Sequence, residues 1–407
     1  MTFTELWSQL EPIGRWAETG GYRRYSWTAA DADCRAWFAE QARSRGLRLE
    51  TDRNGNQWAW WNPSADASGT DAAEQPALAI GSHLDSVPDG GAFDGPLGVI
   101  CALAAVGLLR KQGWSPARPV LVANFADEEG ARFGVACAGS RLLTGALDAD
   151  RARSLRDVDG WTMAEGMAAA GLDPQSVGPD PLALQRIGTF VELHVEQGRG
   201  LVGLGAPVGV ASAIWPHGRW RFDFAGEANH AGTTRLADRR DPMITYAGAV
   251  LAAREAAERH EALATFGKVQ VTPNGVNAIP SQVTAWLDAR GPSAPVVRGL
   301  VDDLTATAGA MGAGVREESW TDETSFDTRL RSRLSALLAG PDGREAPILA
   351  TGAGHDAGIL SLALVETAML FVRNPTGISH SPEEFAEESD CVKGVEALAS
   401  VMRELAS

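Results

Sequence analysis

Three short, mostly apolar segments of this sequence each run into a histidine or a group of carboxylates. They are Ala77–Ile80, before His83; Pro119–Phe125, before Asp127-Glu128-Glu129; and Phe190–Leu193, before His194. Continuous apolar strands that alternate with helices, such as the apolar run Leu97–Gly113, are typical of a mostly parallel sheet covered by helices. In such a sheet ligands bind beyond the carboxyl ends of the strands. The sequence therefore predicts an α/β fold whose functional groups gather where these strands end.

The hydrophobic pattern changes in the middle of the chain. Arg219–Phe224 and Gln282–Asp288 alternate polar with apolar residues, which predicts antiparallel strands that have one solvated face. The helices predicted to cover the other face are Pro242–Glu261 and Val296–Met311. This part of the chain is therefore interpreted as a separate α+β domain.

The predicted elements group into two domains, as a chain of 407 residues leads one to expect. Residues 1–209 and 323–407 would form the first domain, and residues 210–322 would be inserted into it. An exposed loop is predicted at Asn62–Gln75, which is rich in Ala, Ser, Asp and Gly. A capping box at Ser381–Glu384, with proline at the first helical position, predicts the start of the last helix.

Charge and cysteine usage narrow the class of protein. Acidic side chains exceed basic ones by 52 to 36, and the net charge of −16 argues against a nucleic-acid or membrane partner. The four cysteines are far apart and contain no C-x-x-C pair, so we expect buried or incidental thiols and no disulfide framework. Met1–Gly20 lacks the pattern of a signal peptide, and the apolar run Leu97–Leu109 is too short to span a bilayer. We expect a cytoplasmic protein.

The candidate functional residues are histidines and carboxylates. Asp85, two residues after His83, can hold the second ring nitrogen of a metal-binding imidazole. Asp94 lies in a glycine-rich loop, whose backbone can turn tightly. The adjacent carboxylates Glu128 and Glu129 follow a buried strand, where they repel each other unless a cation compensates them. Singly, these features also fit a structural His–Asp pair, a turn and a solvated helix start; together they indicate a metal site.

Longer motifs resemble the dinuclear M20 metallopeptidase superfamily. The motifs that carry this resemblance are Gly81–Val87 (GSHLDSV), Gly90–Gly95 (GGAFDG) and Asp127–Gly130 (DEEG). Three later motifs are similar to the amidase/carbamoylase branch: Glu192–Gly198 (ELHVEQG), Gly226–Thr234 (GEANHAGTT) and Asn277–Ser281 (NAIPS). That branch contains N-carbamoyl-L-amino-acid hydrolases, allantoate amidohydrolases and beta-ureidopropionases. The resemblance extends from about residue 80 to about residue 385.

The resemblance implies two divalent metal ions per subunit. The matching ligands are His83, Asp94, Glu129, His194 and His380. Asp94 would bridge the two ions, His83 and His194 would complete one site, and Glu129 and His380 the other. A set of nitrogen and oxygen ligands suits Zn, Mn, Co or Ni and does not choose among them. Alternatives are a backbone-bonded strand-end histidine for His194 and a surface-loop histidine for His380.

The same resemblance implies catalytic roles. Glu128 would be the general base that takes a proton from the attacking water, and Asp85 would orient His83. His230, in the inserted domain, would reach the active site of a partner subunit and stabilise the oxyanion. The inserted domain would then serve as lid and dimerisation domain of a homodimer. A core or loop histidine is the alternative for His230.

Further positions match substrate-binding residues of the family. Arg290 would bind a substrate carboxylate, since a guanidinium is planar, permanently charged and bidentate. Asn277 and Gln197 would form hydrogen bonds with the substrate. The alternatives are an exposed strand-end arginine for Arg290 and ordinary turn or loop amides for Asn277 and Gln197. His217 stands where relatives usually have glutamine, and it puts the choice of substrate in doubt. Other departures are Pro216, Arg235 and Gly358.

The function implied is hydrolysis of a carbon–nitrogen bond that is not a peptide bond. The leading hypothesis is a metal-dependent amidohydrolase that cleaves the linear ureido bond of an N-carbamoyl-L-amino acid, a small substrate with a carboxylate. Allantoate amidohydrolase is the main alternative. Beta-ureidopropionase, N-acyl-amino-acid amidohydrolase and an inactive binding relative also remain open.

Overall fold

The computed structural model describes residues 1–62 and 75–407. It contains two compact units, of which the larger comprises Met1–Ser212 and Ser325–Ser407 and the smaller comprises Ala213–Thr324. The domain boundaries predicted at 209/210 and 322/323 lie close to these limits. Residues 63–74 of the predicted exposed loop lie outside the described ranges.

The described elements are numbered in chain order. The strands are β1 (Arg48–Thr51), β2 (Gln57–Trp61), β3 (Ala77–His83), β4 (Val120–Phe125), β5 (Ile187–Val195), β6 (Val208–Ile214), β7 (His217–Ala225), β8 (Asn229–His230), β9 (Leu263–Thr272), β10 (Ala278–Ile279), β11 (Gln282–Arg290), β12 (Gly314–Thr321), β13 (Thr324–Ser325), β14 (Ile348–Thr351) and β15 (Glu366–Val372). The α-helices are α1 (Phe3–Leu10), α2 (Ala29–Ser44), α3 (Pro96–Lys111), α4 (Ala138–Thr144), α5 (Ala149–Ser154), α6 (Met163–Ala169), α7 (Pro181–Gln185), α8 (Gly200–Leu204), α9 (Pro242–His260), α10 (Ala294–Ala310), α11 (Thr328–Leu337), α12 (Asp356–Leu362) and α13 (Glu388–Leu405).

The main sheet has a parallel centre and antiparallel flanks. Its strand order is β1-β2-β4-β3-β5-β15-β6-β13, and β14 also pairs with β6. The pairs β3–β4, β3–β5 and β5–β15 are parallel, whereas β1–β2, β2–β4 and β15–β6 are antiparallel. Every residue of β3 and β4 is buried, as continuous apolar strands covered on both faces require. The predicted α/β class is confirmed.

Helix α3 packs closely against the centre of this sheet. It begins with Pro96 after Gly95, whose φ of 83° is a left-handed conformation that glycine adopts without strain. A Cβ on Gly98 would lie 2.1 Å from the carbonyl oxygen of Leu193 in β5, so only glycine permits this approach. The close packing holds the loop before α3, which carries Asp94, against the carboxyl ends of β3 and β5.

The smaller unit contains a four-stranded antiparallel sheet with the order β12-β7-β11-β9. In the register of β11 and β7, Ala285 pairs with Phe222 and Trp286 pairs with Arg221. The apolar member of each alternation is buried and packs with residues of α9 and α10, which confirms the predicted antiparallel sheet with one covered face. A separate two-stranded pairing joins β8 to β10.

The predicted start of the last helix is wrong. Residues 381–384 form a turn, and α13 begins at Glu388. Ser381 Oγ donates to the carboxylate of Glu383, while Glu384 is buried and accepts hydrogen bonds from the distant backbone of Phe93 and Asp94. The capping pattern was therefore misleading because the glutamate that completes it has a tertiary partner.

Two further expectations bear on the class of protein. All four cysteines are buried and free, which confirms that they form no disulfide framework. Across residues 1–62 and 75–407, none of the helices combines the length and the hydropathy that a membrane-spanning segment needs.

Candidate metal centre and active site

His83 is the last residue of β3 and is completely buried. Its Nδ1 lies 3.2 Å from the carbonyl oxygen of Asp85 and 3.5 Å from Asp85 Oδ1. Its Nε2 lies on the other side of the ring, 3.8 Å from Asp94 Oδ1. A Cβ on Gly95 would be 2.4 Å from the imidazole, so glycine is required beside this ring. Asp85 thus contacts the nitrogen that a metal ion would not use.

His194, near the end of β5, faces the same carboxylate. Its Nδ1 lies 2.9 Å from the carbonyl oxygen of Val195, and its Nε2 lies 3.1 Å from Asp94 Oδ1. The His83 and His194 rings are stacked with their centroids 5.8 Å apart. One ligand atom from each of His83, Asp94 and His194 lies within 4.8 Å of the others. These three buried residues form the first ligand group.

A second ligand group shares Asp94 with the first. Its members are Asp94, Glu129 and His380, whose ligand atoms also lie within 4.8 Å of one another. His380 Nε2 is 3.3 Å from Asp94 Oδ2 and 3.6 Å from Glu129 Oε2. Thus Asp94 presents one carboxylate oxygen to each group. The structure brings together all five residues that the sequence indicated as ligands.

The polar atoms of these groups fit divalent cations. His83 Nε2, His194 Nε2 and Glu129 Oε1 are buried and have no hydrogen-bond partner among the described residues. Buried polar atoms are costly unless something satisfies them. Imidazole nitrogens and carboxylate oxygens that converge in this way are ligands of Zn and of similar transition-metal ions.

The pKa values of Glu128 and Glu129 are raised, which is the shift that burial of a negative charge without a compensating cation produces. Burial, reinforced by the charge of Asp94, raises the pKa of Glu129 to about 7. Burial also raises the pKa of Glu128 well above its ordinary value, although His83 opposes the shift. Contact with Asp94 raises the pKa of His380 to about 9. The site therefore binds protons tightly where a cation would otherwise compensate the carboxylates.

Glu128 lies beside the first ligand group. Its Oε2 is 3.7 Å from His83 Nε2, and its Oε1 is 3.3 Å from the thiol sulfur of Cys137. The carboxylate of Asp85 accepts the backbone N–H groups of Glu128 at 3.2 Å and of Glu129 at 3.0 Å. Asp85 consequently organises the loop that carries both glutamates as well as the ring of His83.

Gln197 lies beside the second ligand group. Its Nε2 donates to Asp94 Oδ2 at 3.0 Å and to Ser379 Oγ at 3.1 Å, and it lies 3.5 Å from His380 Nε2. Its Oε1 is buried without a hydrogen-bond partner within the described part of the chain. The structure therefore places this predicted substrate-binding amide directly on the shared carboxylate.

His217 and Arg290 form a pair within the smaller unit. They are directly opposite in the register of β7 and β11, and Arg290 donates to Asp288 through Nε at 2.6 Å and Nη2 at 3.1 Å. His217 Nδ1 lies 3.0 Å from the carbonyl oxygen of Trp215 and must donate to it, which leaves Nε2 as the acceptor of the neutral ring. Burial, with the nearby charge of Arg290, lowers the pKa of His217.

His230 and Asn277 form the other predicted pair of the smaller unit. His230 pairs with Ala278 in the β8–β10 register, and the N–H of Ala231 donates to the carbonyl oxygen of Asn277 at 2.9 Å. His230 is exposed, and its Nδ1 accepts the N–H of Gly232 at 3.0 Å. The neutral ring consequently carries its proton on Nε2, where it can donate to a ligand.

The sequence interpretation missed several residues that contact the ligand groups. Glu384 binds the backbone of Asp94, Ser379 Oγ lies 3.2 Å from Asp94 Oδ2, and Cys137 contacts Glu128. The His355 ring lies 4.5 Å from that of His194. Of these, only Glu384 stood in a motif that the sequence indicated, the capping box, and that motif predicted a helix start and not a contact with Asp94. Contacts across the fold leave no local pattern in the chain.

Comparison with known proteins agrees with this geometry. The model of the peptidase family M20/M25/M40 matches residues 79–404. The N-carbamoyl-L-amino acid amidohydrolase of Geobacillus stearothermophilus is 36% identical, with 98% of each chain covered. The allantoate amidohydrolase of Escherichia coli strain K12 is 33% identical over 95% of this chain and 93% of the relative. A crystal structure of an amidase of the hydantoinase/carbamoylase family from Burkholderia vietnamiensis is 29% identical, with a TM-score of 0.85 over 99% of this chain and 97% of that one.

These matches extend over nearly the whole sequence, and the family model includes every residue of both ligand groups. The chain therefore belongs to the peptidase family M20/M25/M40 and, within it, to the amidohydrolases of the hydantoinase/carbamoylase type.

Proposed function

We propose that this protein is a metal-dependent amidohydrolase that cleaves the linear ureido bond of an N-carbamoyl-L-amino acid. The observation that carries the proposal is the pair of ligand groups that share Asp94 and lie beside the buried carboxylate of Glu128. The similarity to an N-carbamoyl-L-amino acid amidohydrolase supports the choice of substrate.

Five residues would hold two divalent cations, of Zn, Mn, Co or Ni. They are His83, Asp94, Glu129, His194 and His380. When bound, two cations that share a carboxylate polarise a scissile carbonyl and lower the pKa of the attacking water. Asp85 keeps the His83 ring in place by contacting Nδ1, and through Glu128 N and Glu129 N it also fixes the loop that carries both glutamates.

Glu128 serves as the general base in this proposal. Its Oε2 takes the proton of the attacking water and later delivers it to the leaving nitrogen. The position supports this role, since Oε2 lies only 3.7 Å from His83 Nε2 and the carboxylate is buried. Its raised affinity for protons, caused by burial, suits a group that must accept one and then release it.

His230 stabilises the oxyanion that develops on the scissile carbonyl. The proposal is supported by the proton on Nε2, because Nδ1 already accepts the N–H of Gly232. We further propose that His230 acts in the partner subunit of a homodimer. Ile244 and Leu251, one heptad apart on α9, leave 73% and 67% of their surface exposed, which suits a helix face that a second copy covers.

Substrate recognition would use the polar residues of the smaller unit together with Gln197. Arg290 binds the substrate carboxylate, and its bidentate contact with Asp288 holds the guanidinium in a defined orientation. His217 offers an acceptor at Nε2 beside it, and Asn277 offers an amide next to His230.

Allantoate hydrolysis is the second candidate, because a relative that is 33% identical is an allantoate amidohydrolase. A substrate panel separates the candidates. The purified protein, incubated with Mn or Zn, is assayed for ammonia release from N-carbamoyl-L-amino acids, allantoate, N-carbamoyl-beta-alanine and N-acyl-L-amino acids. We expect the highest kcat/KM for an N-carbamoyl-L-amino acid. A higher value for allantoate would replace the proposed substrate, and metal-independent hydrolysis would overturn the proposed chemistry.

A further inference from the structure

Cys137 contacts Glu128 at both its backbone and its side chain. The N–H of Cys137 donates to the carbonyl oxygen of Glu128 at 2.5 Å, and its thiol sulfur lies 3.3 Å from Glu128 Oε1. Both residues are buried. One residue therefore holds the two ends of the glutamate.

The conformation of Cys137 makes the double contact possible. Its φ of 54° and ψ of 37° lie in the left-handed region, which residues with a side chain seldom adopt. Cys137 precedes α4, yet within the described structure its side chain makes no hydrogen bond that would cap the helix. The thiol is instead turned towards the carboxylate of Glu128.

The thiol is in the form that can donate. Burial raises the pKa of Cys137 well above its ordinary value, and the neighbouring charge of Glu128 adds to the shift. The group consequently keeps its proton at neutral pH and directs a weak S–H donor at Oε1. With Oε1 held there, Oε2 of the same carboxylate faces His83 Nε2 in the first ligand group.

We propose that Cys137 is a positioning residue whose thiol holds the Glu128 carboxylate so that Oε2 faces the ligand groups. This inference rests on the proposed function, in which Glu128 is the general base. Without the S–H donor, the carboxylate would be free to rotate while its backbone stays in place.

The surrounding backbone contacts make the inference testable, because they do not depend on the thiol. The N–H of Ala138 donates to the carbonyl oxygen of Asp127, and the N–H of Gly139 to that of Ala126, each at 2.9 Å. Together with the bond from Cys137 N to Glu128 O, they join residues 126–128 to residues 137–139. We therefore expect variants at Cys137 to retain the fold and both ligand groups.

The test compares Cys137→Ala, Cys137→Ser and a control variant, Cys391→Ala, which removes another buried thiol, from α13. All are assayed in the metal-loaded form. Because misplacement of a catalytic group mainly affects turnover, we expect Cys137→Ala to lower kcat roughly tenfold and to change KM less than about twofold. Cys137→Ser retains a donor, so its kcat should remain within about threefold of the wild type. Cys391→Ala should keep the wild-type kcat, and metal content should be unchanged throughout.

A double-mutant cycle separates positioning from packing. In a Glu128→Gln background the thiol has no base to position, so adding Cys137→Ala should not lower kcat further. A full additional tenfold loss there would overturn the inference, as would a wild-type kcat for Cys137→Ala.

Crystal structures of metal-loaded wild type and Cys137→Ala provide a readout that does not depend on activity. We expect the Glu128 carboxylate to change its orientation in the variant. If the wild type hydrolyses no panel substrate, the proposed function fails, but these structures still show whether Cys137 positions the Glu128 carboxylate. An unchanged Glu128 orientation in Cys137→Ala would reject the positioning role.

Discussion

Glu384 accepts the backbone N–H of Asp94 at 2.9 Å, although 290 positions separate the two residues in the sequence. The same oxygen of Glu384 accepts the N–H of Phe93 at 2.8 Å, and the other oxygen lies 3.1 Å from Ser379 Oγ. Glu384 thus joins the loop that carries Asp94 to the segment that carries His380. Since Asp94 is shared by both ligand groups, this buried carboxylate holds the two groups together.

Removal of this carboxylate should weaken metal binding. In Glu384→Ala the N–H groups of Phe93 and Asp94 lose their acceptor, so we expect metal affinity to fall roughly 10- to 100-fold, as for other residues that orient ligands. Competition with a chromophoric chelator measures the affinity. Glu383→Ala is the matched control, because Glu383 is exposed and its side chain accepts its hydrogen bond from the local Ser381. Equal affinities in the two variants would contradict the role of Glu384.

The proposed base predicts a different phenotype at Glu128. Glu128→Gln keeps the size of the side chain and an oxygen that can face Cys137, but it removes the group that accepts the proton. We expect kcat to fall by about 10²- to 10⁴-fold, the usual contribution of general acid–base catalysis, while metal content stays the same. Steady-state kinetics and elemental analysis of the same preparation measure both. Near-normal turnover would show that another group is the base.

If His230 acts across a homodimer, inactive subunits should complement each other. A mixed dimer of His230→Ala and Glu128→Gln subunits contains one site in which both groups are intact. We expect such dimers, formed by co-expression with two affinity tags, to regain up to about half of the wild-type activity, whereas each parent remains inactive. The absence of any recovery in dimers confirmed by mass spectrometry would rule out a shared site.

His217 is expected to govern the choice of substrate. With its pKa lowered by burial and its Nδ1 directed at Trp215 O, the ring is neutral at pH 7 and presents Nε2 as an acceptor. His217→Gln replaces this acceptor by an amide that can also donate. We expect the ratio of kcat/KM for an N-carbamoyl-L-amino acid and for allantoate to change by about tenfold or more. His260→Gln, at a histidine of the same unit that pairs with Asp303, is the control and should leave the ratio unchanged.

In the wild type, the ratio of kcat/KM for an N-carbamoyl-L-amino acid to kcat/KM for allantoate should also be independent of pH in the neutral range. Because the pKa of His217 lies below its ordinary value of 6.5, the ring is already uncharged above that pH. We expect the same substrate ratio from about pH 7 to about pH 8.5. A ratio that changes sigmoidally within this interval would show that a titrating group contacts the substrate.

The buried carboxyl of Asp31 predicts a pH dependence of stability. Burial raises its pKa to about 6, and its only side-chain hydrogen bond among described residues comes from the N–H of Trp27. The unfolded chain has a lower pKa, about 3.9, so the folded state binds the proton more tightly. The contribution of the protonated Asp31 to the free energy of unfolding is therefore fully present below about pH 4 and is lost as the pH rises through about 6.

Substitution by asparagine should remove this loss, since its amide oxygen can accept the same hydrogen bond. We compare the free energy of unfolding of Asp31→Asn with that of the wild type at each pH. Relative to the wild type, the variant should be more stable at pH 7.5 than at pH 4.5, by on the order of 1–3 kcal/mol. Urea unfolding at both pH values measures it. Asp33→Asn, at an exposed position of α2, should show no such difference. The same pH dependence in Asp31→Asn and wild type would refute the assignment.

Much of the fold could be predicted from the sequence, because it depends on local periodicity. Mostly apolar runs predicted the buried strands β3, β4 and β5, and alternating residues predicted β7 and β11. The strands that end at histidines or carboxylates predicted where ligands would gather, since parallel strands present their carboxyl ends on one side. The residue types alone also restrict the candidate ligand atoms to imidazole nitrogens and carboxylate oxygens, a set that does not distinguish among Zn, Mn, Co and Ni.

Other relationships exist only in the folded molecule. A hydrogen bond requires two atoms to approach within about 3 Å, whereas a periodic pattern specifies only the face of an element on which a residue lies. Glu384 belonged to a pattern typical of a helix start, but its carboxylate binds the backbone of Phe93 and Asp94, and the helix begins at Glu388. The contact of Cys137 with Glu128 likewise depends on a left-handed backbone conformation that no residue pattern indicated.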